Sequence, residues 1–352
     1  MRILLAACLV AAATPVEAQS AWTWRARTVV ETTATELRRT GAVPEAPGPR
    51  RRHDQRLVAT ADAAWSPGER LRAAAAVAGS VTNETTRLRA RELYVRASAA
   101  SWLDLEAGRR ILRWGVGYGF SPAGVLDPPR QATDPTDRLQ VNEGRLLARA
   151  DLYRGDTALS VVGADGGVAA RLSTVFRGLE LAAIATAGPG KAPRQAATVT
   201  HVIGQQLEWH GEVLIEEHEG APRVSAAAGI QYTFAAGLNV VVEYHHHGRG
   251  LDAAAWNDVL AGRRPAGPRP SRRNAVFVRL AHAATDSRIV PEMIVIAGAD
   301  DRSWTLVPSV TWTPHRRVQA HVRATRLTGP PRSIAAMAPF STTLTAGAAV
   351  RF

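Results

Sequence analysis

The sequence predicts an all-β fold: a single closed antiparallel transmembrane β-barrel of about 18 strands. Three observations carry this. From Trp22 onward the chain repeats one unit, in which roughly ten alternating residues, a turn and ten more are followed by a longer polar connection. The hydrophobic fraction is 46%, yet no later segment approaches the roughly 20 consecutive apolar residues that a membrane helix needs, so any spanning must be by strands. The chain also ends FSTTLTAGAAVRF, where Phe340, Thr342, Leu344, Ala346, Ala348, Val350 and Phe352 share one face. Small or polar residues, Ser341 to Arg351, occupy the other face.

The N-terminus reads as an export signal: Arg2 precedes an apolar stretch from Ile3 to Ala13, and Val16-Glu17-Ala18 supplies a small-residue cleavage pattern. Residues 1–18 are therefore expected to be a signal peptide and 19–352 the barrel. Leu5-Ala6-Ala7-Cys8 also fits a lipoprotein box, but cutting there leaves too short a signal. Beyond Cys8 the chain has no cysteine, which excludes disulfides, iron–sulfur clusters and cysteine nucleophiles from a mature chain starting at Gln19.

Strand starts are expected near residues 21, 51, 69, 90, 102, 144, 156, 167, 178, 196, 206, 221, 237, 273, 287, 302, 316 and 341, with 16 strands as the alternative count. Aromatic residues precede tight turns at Trp65, Tyr153, Phe176, Phe234 and Trp312, which suits a membrane–water interface where amphipathic rings settle. The longer connections are residues 39–51, 115–143, 188–195, 249–272 and 329–339. At this strand number the lumen is wide enough to hold water.

The C-terminal pattern resembles the closing strand of Gram-negative outer-membrane barrels, in which the last aromatic residue, here Phe352, is an assembly signal. A second stretch, residues 91–153, resembles porin-like outer-membrane channels of the alginate-export and phosphate-selective kind. Its matching positions are Gly108, Arg110, Trp114, Gly115, Ser121, Pro122, Val125, Leu126, Pro128, Asp134 and Pro135. The resemblance implies short periplasmic turns, long extracellular loops and a distinctive third loop, without implying a substrate.

That loop holds Pro122, Pro128, Pro129 and Pro135, which limit backbone freedom and favour an ordered loop. It either folds into the pore, with Arg113, Asp127, Arg130 and Asp137 at a constriction, or caps the outside. Alternation places Glu208, His210, Glu212 and Glu216 on one inward row and Glu243, His245 and His247 on another. A basic inward set comprises Arg96, Arg110, Arg149, Arg171, Arg279, Arg317, Arg323 and Arg351. Such segregation would set up a transverse field, and the formal net charge of +12 predicts a preference for anions. Inward charges that merely solvate the interior are the simpler alternative.

Of the 43 basic residues only Lys191 is a lysine, and the arginines are scattered singly through strand-like segments, so no nucleic-acid partner is expected. Glu243, His245 and His247 share a face and so also read as a metal-ligating set. A polar strand near the mouth explains them more simply, and neither metal nor cofactor is expected. Ser225, with His210 or His245 as base, is the sole candidate for a hydrolytic site, and no nucleophile elbow accompanies it.

The functional expectation is a porin-like channel for passive diffusion of small polar, anion-favoured solutes, and not an enzyme. Its alternatives are a barrel that works through its loops, as an adhesin, an export or assembly partner or a structural protein, and then an outer-membrane hydrolase. Expected partners are outer-membrane lipid and lipopolysaccharide, the barrel-assembly machinery and the permeant, with a homo-oligomer left open.

Overall fold

A computed structural model of the chain describes residues 22–38, 51–267, 270–282 and 287–352. The expected signal segment 1–18 and most of the first long connection lie outside these. Eighteen strands run up and down: β1 (Trp22–Leu37), β2 (Arg51–Trp65), β3 (Leu71–Thr82), β4 (Thr86–Ala100), β5 (Leu103–Arg110) and β6 (Arg145–Arg154). Next come β7 (Thr157–Ala164), β8 (Gly167–Phe176), β9 (Leu179–Gly188), β10 (Lys191–Ile203), β11 (Leu207–His218) and β12 (Ala221–Thr233). The wall is completed by β13 (Leu238–His246), β14 (Asn274–His282), β15 (Ile289–Gly298), β16 (Trp304–His315), β17 (Val318–Thr328) and β18 (Phe340–Arg351).

Each strand pairs antiparallel with its sequence neighbours, and β1 pairs with β18 from Arg27↔Arg351 to Leu37↔Phe340, so the sheet closes without an edge. Closure is what an apolar solvent demands, because an unpaired backbone group in lipid costs several kcal/mol. No helix of the described residues is long and apolar enough to cross a membrane.

The alternation sets the two faces. On β18, Leu344 and Val350 are exposed on the outside, whereas Ala349 between them is fully buried on the inside. Outward apolar residues such as Leu88, Leu93, Leu146, Leu172 and Ile230 continue that band around the wall. Trp65, Tyr153, Phe176, Phe234 and Trp312 all fall at the same end of the barrel, joined there by Trp22, Trp24 and Trp102, with Trp22 and Trp65 6.0 Å apart. Phe352 reaches the same end and donates its amide to the Ala26 carbonyl at 2.9 Å.

One expected long connection is instead a tight turn. Residues 188–195 look loop-like because Gly188, Gly190, Lys191 and Pro193 are all poor strand formers, yet β10 begins at Lys191 and Gly190 turns the chain at φ 67°. The structure tolerates Pro193 because the pairing with β9 is broken between Lys191 and Arg194, where no ladder N–H is needed. The connections 249–272 and 329–339 are long as expected and carry the short helices α1 (Ala253–Leu260) and α2 (Ile334–Met337). Trp256 of α1 is buried and donates its indole N–H to the Arg332 carbonyl at 2.8 Å, which ties these two connections together.

Candidate functional site

The third loop starts deep inside the barrel. β5 has 8 residues against 15 in β4, so the chain leaves the wall at Arg110 while β4 extends beyond it. Gly108, at φ 129°, makes the exit where a Cβ would run into the β4 backbone. From there residues 111–144 cross the lumen, and Gly144 rejoins the wall by donating to the Arg91 carbonyl at 2.8 Å.

The crossing is made by Trp114 to Gly119, whose six successive amides go pairwise to three carboxylates. Asp127, from the loop itself, accepts from Trp114 and Gly115 at 2.7 and 3.3 Å. Glu212 on β11 accepts from Val116 and Gly117 at 3.0 and 3.2 Å. Glu243 on β13 accepts from Tyr118 and, at 2.7 Å, from Gly119. Successive N–H groups converging on an anion form a nest, which matches a carboxylate's several lone pairs. Opposite them Arg130 donates to the carbonyls of Gly115, at 3.0 Å, and Gly117.

The three carboxylates are almost sealed from water, at 6%, 5% and 0% exposure for Asp127, Glu212 and Glu243. Burial pushes the Asp127 carboxyl above its usual range despite the two amides it accepts. Glu243 also holds the Nε2 atoms of His210 and His245, each at 2.8 Å. His247, just past β13, lies 3.9 Å from the Phe120 ring of the loop, and burial pushes its imidazole down to about 4.

Apolar contacts reinforce the crossing in three sectors. Leu112, Trp114 and Ala123 pack on Leu147, Val162, Ala169, Ile184, Ala196 and Leu214, which line β6 to β11. Tyr118 and Ala132 meet Val241, Phe277, Ile294 and Val307 of β13 to β16. Leu139 and Val141 meet Val29, Val58 and Ala349 of β1, β2 and β18. Further along, Arg138 pairs with Glu31 and touches His321 at 2.5 Å, and Asp134 faces Arg323 at 3.6 Å. Asp137 caps the returning turn, accepting the Val141 and Asn142 amides at 3.1 Å each.

What this leaves is a cleft of about 450 Å³ against β1 to β5. Arg25, Arg72, Arg91, Arg96 and Arg110 line it with Asp62, Glu92 and Tyr94, and Gln140 closes it from the loop side. Most of these arginines are answered locally. Arg110 bonds Glu92 at 2.6 Å, lies 3.5 Å from Glu106 and stacks over Tyr94 at 4.2 Å. Arg96 bonds Asp104, and Arg91 faces Asp62 at 3.6 Å. Arg25 and Arg72 have no carboxylate partner among the described residues and are exposed in the cleft.

The residues singled out in the sequence therefore part company. Arg96 and Arg110 stand in the open cleft, and Arg149 faces inward beside it, bonded to Asp151 at 2.8 Å. His210, Glu212, Glu243 and His245 point inward as their alternation requires, but they lie under the loop and line no water, because the loop's amides need the carboxylates. Glu208, beside His210 at 3.5 Å, is half-buried at the edge of this cluster. Asp127, Arg130 and Asp137 hold the loop's own shape, and Arg113 is exposed on it. Arg279 bonds Glu292 and sits over Tyr118 at 5.2 Å, while Arg317 lies exposed in the turn between β16 and β17. The expected acidic side of a transverse field is reduced here, since Glu212 and Glu243 are spent on the loop and Glu216 pairs with Arg194 and Arg249. Glu31, Arg138, Glu92 and Asp62 were missed; the inward parity of the three wall residues was the available signal. Ser225 accepts the Gly248 amide at 2.9 Å, and neither His210 nor His245 bonds it.

No protein-family model and no curated protein matches the chain. Solved structures do. Over 94% of this chain it is similar to OccK11 (OpdR) of Pseudomonas aeruginosa, at 10% identity and a TM-score of 0.61, covering 96% of that protein. A substituted Rhodopseudomonas blastica porin matches over 94% of this chain and 100% of its own, at 8% identity and a TM-score of 0.55. With the β1–β18 closure and the inward third loop, these likenesses assign the chain the closed antiparallel barrel fold of the bacterial porins.

Proposed function

We propose that this protein is an outer-membrane, porin-like channel for passive diffusion of small polar solutes, with anions favoured. One observation carries the reading: the third loop packs against the wall in three places and leaves an arginine-rich cleft toward the Trp65 end of β1 to β5. A solute following that cleft meets Arg25 and Arg72, which form no ion pair among the described residues, so the local potential attracts anions. Residues 118–140 narrow the passage. The neighbours in structure, named as porins, favour a channel over an enzyme, and the bond from Gly248 to Ser225 gives a hydrolase no support. On this reading residues 1–18 are cleaved during export, Phe352 is read by the assembly machinery, and lipid with lipopolysaccharide surrounds the apolar band.

The test is purified full-length protein in planar lipid bilayers under a salt gradient. Discrete conductance steps with a reversal potential displaced toward the anion are expected. A silent bilayer overturns the channel, and displacement toward the cation overturns the anion preference alone.

A further inference from the structure

We infer that Glu212 and Glu243 are positioning residues for passage: together they strap Val116–Gly119 across the lumen and so set the aperture of the cleft left beside the loop. The inference rests on the channel reading for its consequence, but the strap itself does not. Each carboxylate receives two adjacent amides, and the wall supplies both from β11 and β13, the strands that flank β12, where Glu212 is in register with His245 through Ala227 and Glu243 with His210 through Gly229. His210 and His245 occupy the flanks of Glu243, so its oxygens keep their aim at the loop.

The loop is built to fit. A Cβ added at Gly117 would stand 2.7 Å from a Glu212 oxygen, at Gly115 2.9 Å, and at Gly119 2.7 Å from the Phe277 ring and 3.0 Å from His245. Alternating glycines thus let the backbone come within hydrogen-bond reach of both carboxylates, an approach that side chains would forbid. The two carboxylates are buried beneath the loop, and undocking takes from them four backbone donors at once, leaving Glu243 with only His210 and His245. Docking is cooperative for that reason, and the aperture has two discrete levels rather than a continuum.

Glu212→Gln and Glu243→Gln keep the side-chain volume and remove the charge, while a Gln amide offers only one acceptor oxygen. Loss of charged hydrogen bonds at one carboxylate should raise the undocked fraction by on the order of tenfold. The double variant should show a larger conductance step and frequent transitions between two open levels. Trypsin should also cut it after Arg130 and Arg138, which the docked loop holds in hydrogen bonds and should protect in the parent protein. Glu84→Gln, in the exposed β3–β4 turn, should behave as the parent.

Heat-modifiable mobility on gels reports that the barrel itself remains folded. A folded double variant with parental conductance and parental trypsin resistance overturns the strap. If parent and variant are both electrically silent, the channel reading falls, and the trypsin pattern still decides the strap. Should the double variant not fold, the single variants are read in the same way.

Discussion

The two halves of the lumen use the same residue types to opposite ends. On β11 and β13, Glu212 and Glu243 are covered by the loop and bonded to its amides. On β1 to β5, Asp62 and Glu92 answer arginines across an open cleft. A buried carboxylate facing backbone N–H groups acts as a fixed fastening, because desolvation strengthens its bonds and penalises their loss. A carboxylate facing guanidinium groups in water is weakly coupled and leaves a field for a passing ion. The lesson is that inward charge marks a pore only where nothing else has claimed it.

The sharpest test of that contrast removes the loop. Deleting residues 118–140 should enlarge conductance severalfold, since the loop packs on β6 to β11, on β13 to β16 and on β18, β1 and β2. Unchanged conductance would mean that the cleft was never bounded by it. Next in size, Arg25→Ala with Arg72→Ala removes the unpaired cations of the cleft. A unit charge at contact distance in water is worth about 1 kcal/mol, so local anion enrichment should drop roughly fivefold per charge. Reversal potentials would move toward the cation. The same substitution at Arg279, paired with Glu292, should move them far less.

The strand count, the outward register and the turn-side aromatics were legible because a period of two, once anchored at Phe352, propagates through every hairpin. Residues 188–195 were misread since a loop and a bulged strand start share one composition, and only the pairing break at Pro193 distinguishes them. Inward direction was equally readable for Glu212 and Glu243. Their burial was not, because it depends on residues 116–119, nearly a hundred positions away for Glu212 and more for Glu243, and alternation carries no information about which loop returns to which wall. The alternating Gly115, Gly117 and Gly119 was the sequence's one sign of close backbone approach.

A smaller effect comes from His247. Its imidazole, depressed from 6.5 to about 4, binds fewer protons when the loop is docked than when it is free. Its contribution to docking is therefore complete above about pH 6.5 and is lost as pH falls toward 4. His245 and His246 lie beside it and Phe120 covers it from the loop. Asp127 works the other way: its raised carboxyl favours docking below its ordinary 3.8 and loses that advantage as pH rises. Acidification from pH 7 to 5 should thus increase transitions to the larger conductance level, and His247→Phe should abolish the increase while keeping the ring contact. An unchanged acid response in that variant would place the sensitivity elsewhere in the fastening.

The smallest effect is expected at Arg317. Alternation alone puts it with the luminal arginines, but it sits exposed in the β16–β17 turn, at the aromatic end of the barrel. Its charge is surrounded by water and screened beyond about 10 Å at 0.1 M salt. Arg317→Ala should leave conductance and reversal potential unchanged at that ionic strength, with a slight loss of anion preference only at roughly 0.01 M, where screening reaches about 30 Å. A shift as large as that of the Arg25 and Arg72 pair would move the selecting field from the cleft to the mouth, and the contrast between the two luminal halves would cease to explain which ions pass.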